Sequence, residues 1–99
     1  MPYVKPDDRA KVNDTLQLLI SDIRDKFLVD ERDGVLNYCI SELVCQSMRP
    51  PSGEWRYRLL ERCVGILECC KLEMYRRLVG PYEDKTIKNN GDIESYSQP

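Results

Sequence analysis

A chain of 99 residues, 41% apolar and 32% charged, supports one domain with one modest core, and its net charge of −2 excludes the large basic excess of a duplex-DNA binder. One Phe and one Trp leave the core to Leu, Ile, Val, Cys and Met, a helical palette more than a sheet palette. Five cysteines without framework spacing point to reduced thiols, and the lack of any histidine excludes His-Cys zinc patterns, His general bases and Ser-His triads.

The net charge hides a gradient. Residues 1–48 sum to −3, residues 49–77 to +3, and the remainder to −2. A local excess of that size suits a small anion better than a long polyanion. No apolar run approaches the roughly 18 residues of a membrane span, so no membrane partner is expected. The opening Met1-Pro2-Tyr3-Val4-Lys5-Pro6 lacks the apolar centre of a signal sequence.

Asp7 and Asp8 sit where carboxylates favour a helix N-terminus. From there Val12, Leu16, Leu19, Ile20, Ile23 and Phe27 recur at helical spacing, which predicts a first helix to about Leu28. The stretch Asp30-Glu31-Arg32-Asp33-Gly34 reads as a loop, with Asp33 as N-cap of a second helix from Val35 to Met48. Leu36, Ile40, Leu43, Val44 and Met48 give its stripe. Val35, Tyr38, Cys39 and Cys45 widen the apolar arc, so the second helix is expected to be the most buried. Arg49-Pro50-Pro51-Ser52-Gly53 stops it.

The third helix is expected from Glu54 to Val79, roughly 39 Å at about 1.5 Å per residue. Within it Leu60, Cys63, Leu67, Cys70 and Met74 step by three and four residues, the seam that helices use against one another. Arg58, Arg62, Gly65, Cys69 and Arg76 fall on the opposite stripe. That stripe is a salt-laced solvated face unless Gly65, costly in mid-helix, marks close approach by a backbone or a ligand. Gly80-Pro81 reads as the helix stop. Beyond it Asn90-Gly91, flanked by Ile87 and Ile93, carries the signal of a tight turn and a minimal hairpin.

The expected fold is therefore all-α: a three-helix bundle with a long third helix and an irregular C-terminal tail. Residues 1–93 form a single helical domain and 94–99 a flexible tail. The third helix is longer than two shorter neighbours can cover. A homo-oligomer, most simply a dimer, is expected through Leu60, Cys63, Gly65, Leu67, Cys70 and Met74.

Leu36-Asn37-Tyr38, Gly65-Ile66-Leu67-Glu68, Glu73-Met74-Tyr75-Arg76-Arg77, Pro81-Tyr82-Glu83-Asp84-Lys85 and Asn90-Gly91-Asp92 stand in this order. Together they resemble a family of short, functionally uncharacterised proteins found often in bacteriophage genomes. The resemblance implies a small phage accessory protein acting in a bacterial host cytoplasm, and it carries no activity with it.

The chemistry on offer is slight. Glu83, Asp84 and Asp92 match no EF-hand spacing, and no P-loop or dinucleotide glycine loop is present, so no metal, no cofactor and no catalytic residue is expected. The candidate ligand site is Tyr75, Arg76, Arg77, Tyr82, Lys85, Asn90 and Asp92. Arginine forks suit phosphate and tyrosine rings stack on bases. The same arginines also complement a helix C-terminus, or pair with Glu73, Glu83 or Asp84 to pin the tail. Three function classes follow. The first expected is a non-enzymatic binder that sequesters a phosphorylated small ligand such as a cyclic nucleotide immune signal of the host. The others are an adaptor or inhibitor of a host enzyme acting through a helical face, and a nucleic-acid accessory protein.

Overall fold

The computed structural model describes residues 4–97. These are all-helical, with no strand among them. In chain order they form α1 (Pro6–Lys26), a 3₁₀ turn (Val29–Glu31), α2 (Arg32–Met48), α3 (Tyr57–Met74), a π-helical turn (Tyr75–Val79), α4 (Gly80–Asn90) and a 3₁₀ turn (Glu94–Tyr96). No helix among the described residues is long and apolar enough to cross a membrane. The chain divides into two compact units, one up to Leu59 and one from Leu60.

In the first unit α1 starts at Pro6, where a missing N–H costs nothing, with Asp7 and Asp8 in its first turn as expected. Its end is held by Arg32. The Arg32 guanidinium donates to the Arg24 carbonyl at 3.1 Å and to the Phe27 carbonyl at 3.3 Å, groups the last turn of a helix leaves without partners. Glu31 closes the same corner by accepting the Leu28 amide at 2.9 Å. These contacts make the expected 30–34 loop largely helical, and Asp33 lies inside α2 instead of capping it. Arg32→Ala should lower stability by about 1–2 kcal/mol in a denaturant titration, because a charged donor to two carbonyls is lost. An unchanged midpoint would contradict that role.

α2 is not the most buried helix. It holds no buried residue, and Val35, Cys39, Val44 and Met48 are only half-buried. It ends at Met48 ahead of the Pro50–Gly53 turn. There Gly53 takes φ 79° and its amide donates to the Pro50 carbonyl at 2.8 Å. The Arg49 guanidinium lies 5.9 Å from the centre of the Trp55 ring.

The second unit contains most of a helix that does not stop where Gly80-Pro81 predicted. Residues 57–90 run on as 34 helical residues, about 51 Å of rise. Pro81 has no N–H, and its ring would strike the carbonyl four residues back in an α-helix. The chain answers with one wide turn, in which the Gly80 amide donates to the Tyr75 carbonyl, five residues back. A Cβ on Gly80 would meet only that carbonyl, at 3.6 Å, so the wide turn answers proline and not glycine. Nor does Asn90-Gly91 turn a hairpin. Gly91, at φ 84°, caps α4, with its amide donating to the Ile87 carbonyl at 2.7 Å. The tail from Glu94 opens with a 3₁₀ turn, and its last two residues lie outside those described.

Burial is sparse. Among the described residues only Ile23 and Cys63 are buried, each 8% exposed. The apolar stripes of α1, α2 and α3 are present at the expected spacing, but most of their residues stay open.

Candidate functional site

The seven candidate ligand residues lie along one continuous piece of helix and its cap. Tyr75, Arg76 and Arg77 occupy the π-helical turn; Tyr82, Lys85 and Asn90 lie on α4; Asp92 follows the Gly91 cap. In a hairpin the Asn90-Gly91-Asp92 turn would fold back toward the arginines. In the continuous helix it lies about 20 Å further along the axis, at about 1.5 Å per residue. The structure gathers the first three and leaves Asn90 and Asp92 apart.

What it gathers is already engaged with carboxylates. The Arg76 guanidinium reaches both Glu73 oxygens, at 3.1 and 3.3 Å, and Arg77 approaches the same carboxylate at 3.7 Å. The side chain of Glu73 is 26% exposed, whereas that of Arg76 is 71% exposed. The half-buried acid is the fixed partner and the arginines fold onto it. Exposed pairs of this kind contribute roughly 0–1 kcal/mol each.

The Tyr75 hydroxyl donates to Glu83 Oε1 at 2.6 Å. Eight residues apart, the two would stand about 80° from one another on a regular α-helix. The π-turn absorbs one residue, which makes the separation behave as seven, two full turns. The contact therefore follows from Pro81. Sequence spacing concealed it, and the signal that reveals it is a proline inside a stretch that otherwise remains helical. The hydrogen bond to Glu83 and, after it, the negative charge of that carboxylate hold the Tyr75 phenol above its ordinary 10.0.

A folded-state pKa above the unfolded one means stabilisation that is complete below pH 10 and disappears as pH climbs past the raised value. Tyr75→Phe should therefore melt below wild type at pH 8. The gap should close in strongly alkaline buffer. A gap that stays constant across that range would contradict the Tyr75–Glu83 bond.

Tyr82 and Lys85 are exposed on α4, and Thr86 donates to the Tyr82 carbonyl at 3.3 Å. Asp92 Oδ1 accepts the Ile93 amide at 2.8 Å. No group of three or more His, Cys, Asp or Glu among the described residues is placed to hold a metal ion. On α3, a Cβ added to Gly65 would meet nothing within 4 Å among the described residues outside its own helix turn. Of the expected seam, Leu60, Leu67, Cys70 and Met74 are exposed, while Cys63 is buried. Cys69 also meets solvent.

The sequence stripes, read only as core, missed an open groove in the first unit. It encloses about 480 Å³ and is lined by Lys11, Val12, Thr15, Leu16, Leu19 and Leu43. A shallower groove of about 320 Å³, lined by Val4, Arg9, Val12, Asn13 and Leu16, adjoins it through the shared Val12 and Leu16.

The model of one family, described as a domain of unknown function (DUF6899), matches residues 1–93, and the chain belongs to that family. No curated protein and no solved structure matches the chain.

Proposed function

We propose that this member of the DUF6899 family is a non-enzymatic protein–protein adaptor that engages another protein through the apolar face of α3. One observation carries the reading. Leu60, Leu67 and Met74 repeat at seven-residue spacing and are 42%, 40% and 62% exposed. Such a row is what a helix-in-groove or helix-pair contact requires. The cationic cluster supports the reading indirectly, because Arg76, Arg77 and Tyr75 already have carboxylate partners. An incoming phosphate would compete with Glu73 for the same guanidinium groups. In the phage setting that the sequence resemblance implies, the partner is a host enzyme that the protein disables or recruits in the bacterial cytoplasm.

A second reading, sequestration of a phosphorylated small ligand, rests on the exposed Tyr82 and Lys85 beside that cluster. The two separate in one experiment. Leu67 is replaced by a photo-crosslinking amino acid and the chain is irradiated in host lysate, while a parallel melting screen covers mono-, di- and cyclic nucleotides. The adaptor reading expects one predominant host protein crosslinked from position 67 and no nucleotide-dependent shift. A melting shift with one nucleotide that Arg76→Ala erases, together with no crosslinked host protein, would replace it by the sequestration reading.

A further inference from the structure

We infer that the π-helical turn carries the α3 contact one heptad further, onto α4, so that Leu60, Leu67, Met74 and Tyr82 form one row for a basic amphipathic helix of the partner protein. The inference rests on the adaptor reading and names the kind of partner that reading takes.

The row is set by the phase of the helix. Leu60, Leu67 and Met74 are seven residues apart, but Tyr82 follows Met74 by eight. On an unbroken α-helix Tyr82 would stand about 80° off the row, and Lys85 would fall in line with Leu67. The turn at Tyr75–Val79 takes up one residue, and the 2.6 Å bond from the Tyr75 hydroxyl to Glu83 spans the same eight positions. Tyr82 therefore continues the row, while Lys85 is turned about 100° away from it. From Leu60 to Tyr82 the row runs about 32 Å, a length that suits a paired helix. All four residues belong to the second unit, so their alignment does not involve the first.

The charges beside the row are sorted. Glu61 follows Leu60 directly, Glu68 follows Leu67, and Glu83 follows Tyr82. Each carboxylate thus stands about 100° round the helix from its row residue, all on one flank. All three residues are exposed. Lys71 pairs with Glu68 at 3.1 Å and offsets one of them, whereas the hydrogen bond from Tyr75 leaves the charge on Glu83. Arg58, Arg62 and Arg76 fall on the far side of the helix. An apolar row with an acidic flank calls for lysines or arginines beside the apolar row of the helix it meets. The same flank repels nucleic acid and anionic lipid. A second copy laid antiparallel would set the flank against itself.

The test places p-benzoylphenylalanine at position 67, 82 or 85 of the full chain, irradiates each in host lysate and maps the joined segments by mass spectrometry. Positions 67 and 82 should capture the same protein, at sites about fourteen residues apart in one helix with an excess of Lys and Arg. Position 85 should give about tenfold less product. Pro81→Ala, which removes the cause of the wide turn, should move the product from position 82 to position 85. Glu61→Lys combined with Glu68→Lys should lower the yield from position 82 about fivefold. Product from position 67 with none from position 82, equal yields from 82 and 85, an acidic captured segment, or a second copy as the captured chain would overturn this inference and leave the adaptor reading standing. No captured protein from position 67 would overturn both.

Discussion

Leu67→Glu should reduce capture of the partner protein at least a hundredfold. Leu67 is the centre of the exposed α3 row, with Leu60 and Met74 one heptad to either side. A carboxylate carried into an apolar helix contact loses its water and gains no counter-charge there. The cost is about 3 kcal/mol, roughly a hundredfold in affinity. Arg76→Ala, by contrast, removes a surface pair and should change capture by no more than about threefold. Equal effects of the two substitutions would place the contact on the cationic cluster and not on the seam. The readout is a titration with the purified partner.

The second large effect is expected from Leu16→Glu combined with Leu43→Glu. Leu16 and Leu43 are only partly covered within the first unit, at 45% and 60% exposure, and two carboxylates in the one apolar groove they line lose that cover and repel each other. The pair should lower stability by about 2–3 kcal/mol, a large share of the roughly 5–15 kcal/mol that such domains hold, and should lower the melting temperature by circular dichroism accordingly. Leu18→Glu, at a residue already 70% exposed, should stay within about 0.5 kcal/mol of wild type. A double variant melting within a few degrees of wild type would show that the groove is a solvated surface.

Much of the fold was readable from periodicity. The helix under the α1 stripe, the proline–glycine stop after Met48 and a helix through Leu60, Cys63, Leu67, Cys70 and Met74 all stand where predicted. The sequence misled at its punctuation. Gly80-Pro81 has the composition of a helix stop, yet proline is also tolerated in the first turn of a helix, and a single π-turn let the chain continue. Asn90-Gly91 offers positive φ, which serves a hairpin and a helix cap equally well; only the Ile87 carbonyl three residues before Asn90 distinguishes them. Both errors had one consequence. The stretch expected to stop at Gly80 and turn as a hairpin at Asn90-Gly91 instead continues as a longer helix, so Asn90 and Asp92 lie further along its axis from Arg76 and Arg77.

The candidate cluster itself was half-readable. Glu73 could be named as a partner for the arginines because three and four residues are helical neighbours. Glu83 could not be assigned to Tyr75, since their spacing becomes helical only through the π-turn. Burial was the least accessible quantity. Hydrophobic spacing marks the face that seeks cover without saying whether the cover comes from the same chain, so Leu16 and Leu43 read as ordinary members of their helix stripes.

The central claim is that the open apolar row of α3 is the contact for another protein. It is tested most directly by irradiating the chain in host lysate with the photo-crosslinking residue at position 67 and, in parallel, at position 18, a leucine outside that row. The claim predicts one predominant protein crosslinked from position 67 and not from position 18. No crosslinked protein from position 67, or the same set of products from both positions, would contradict it.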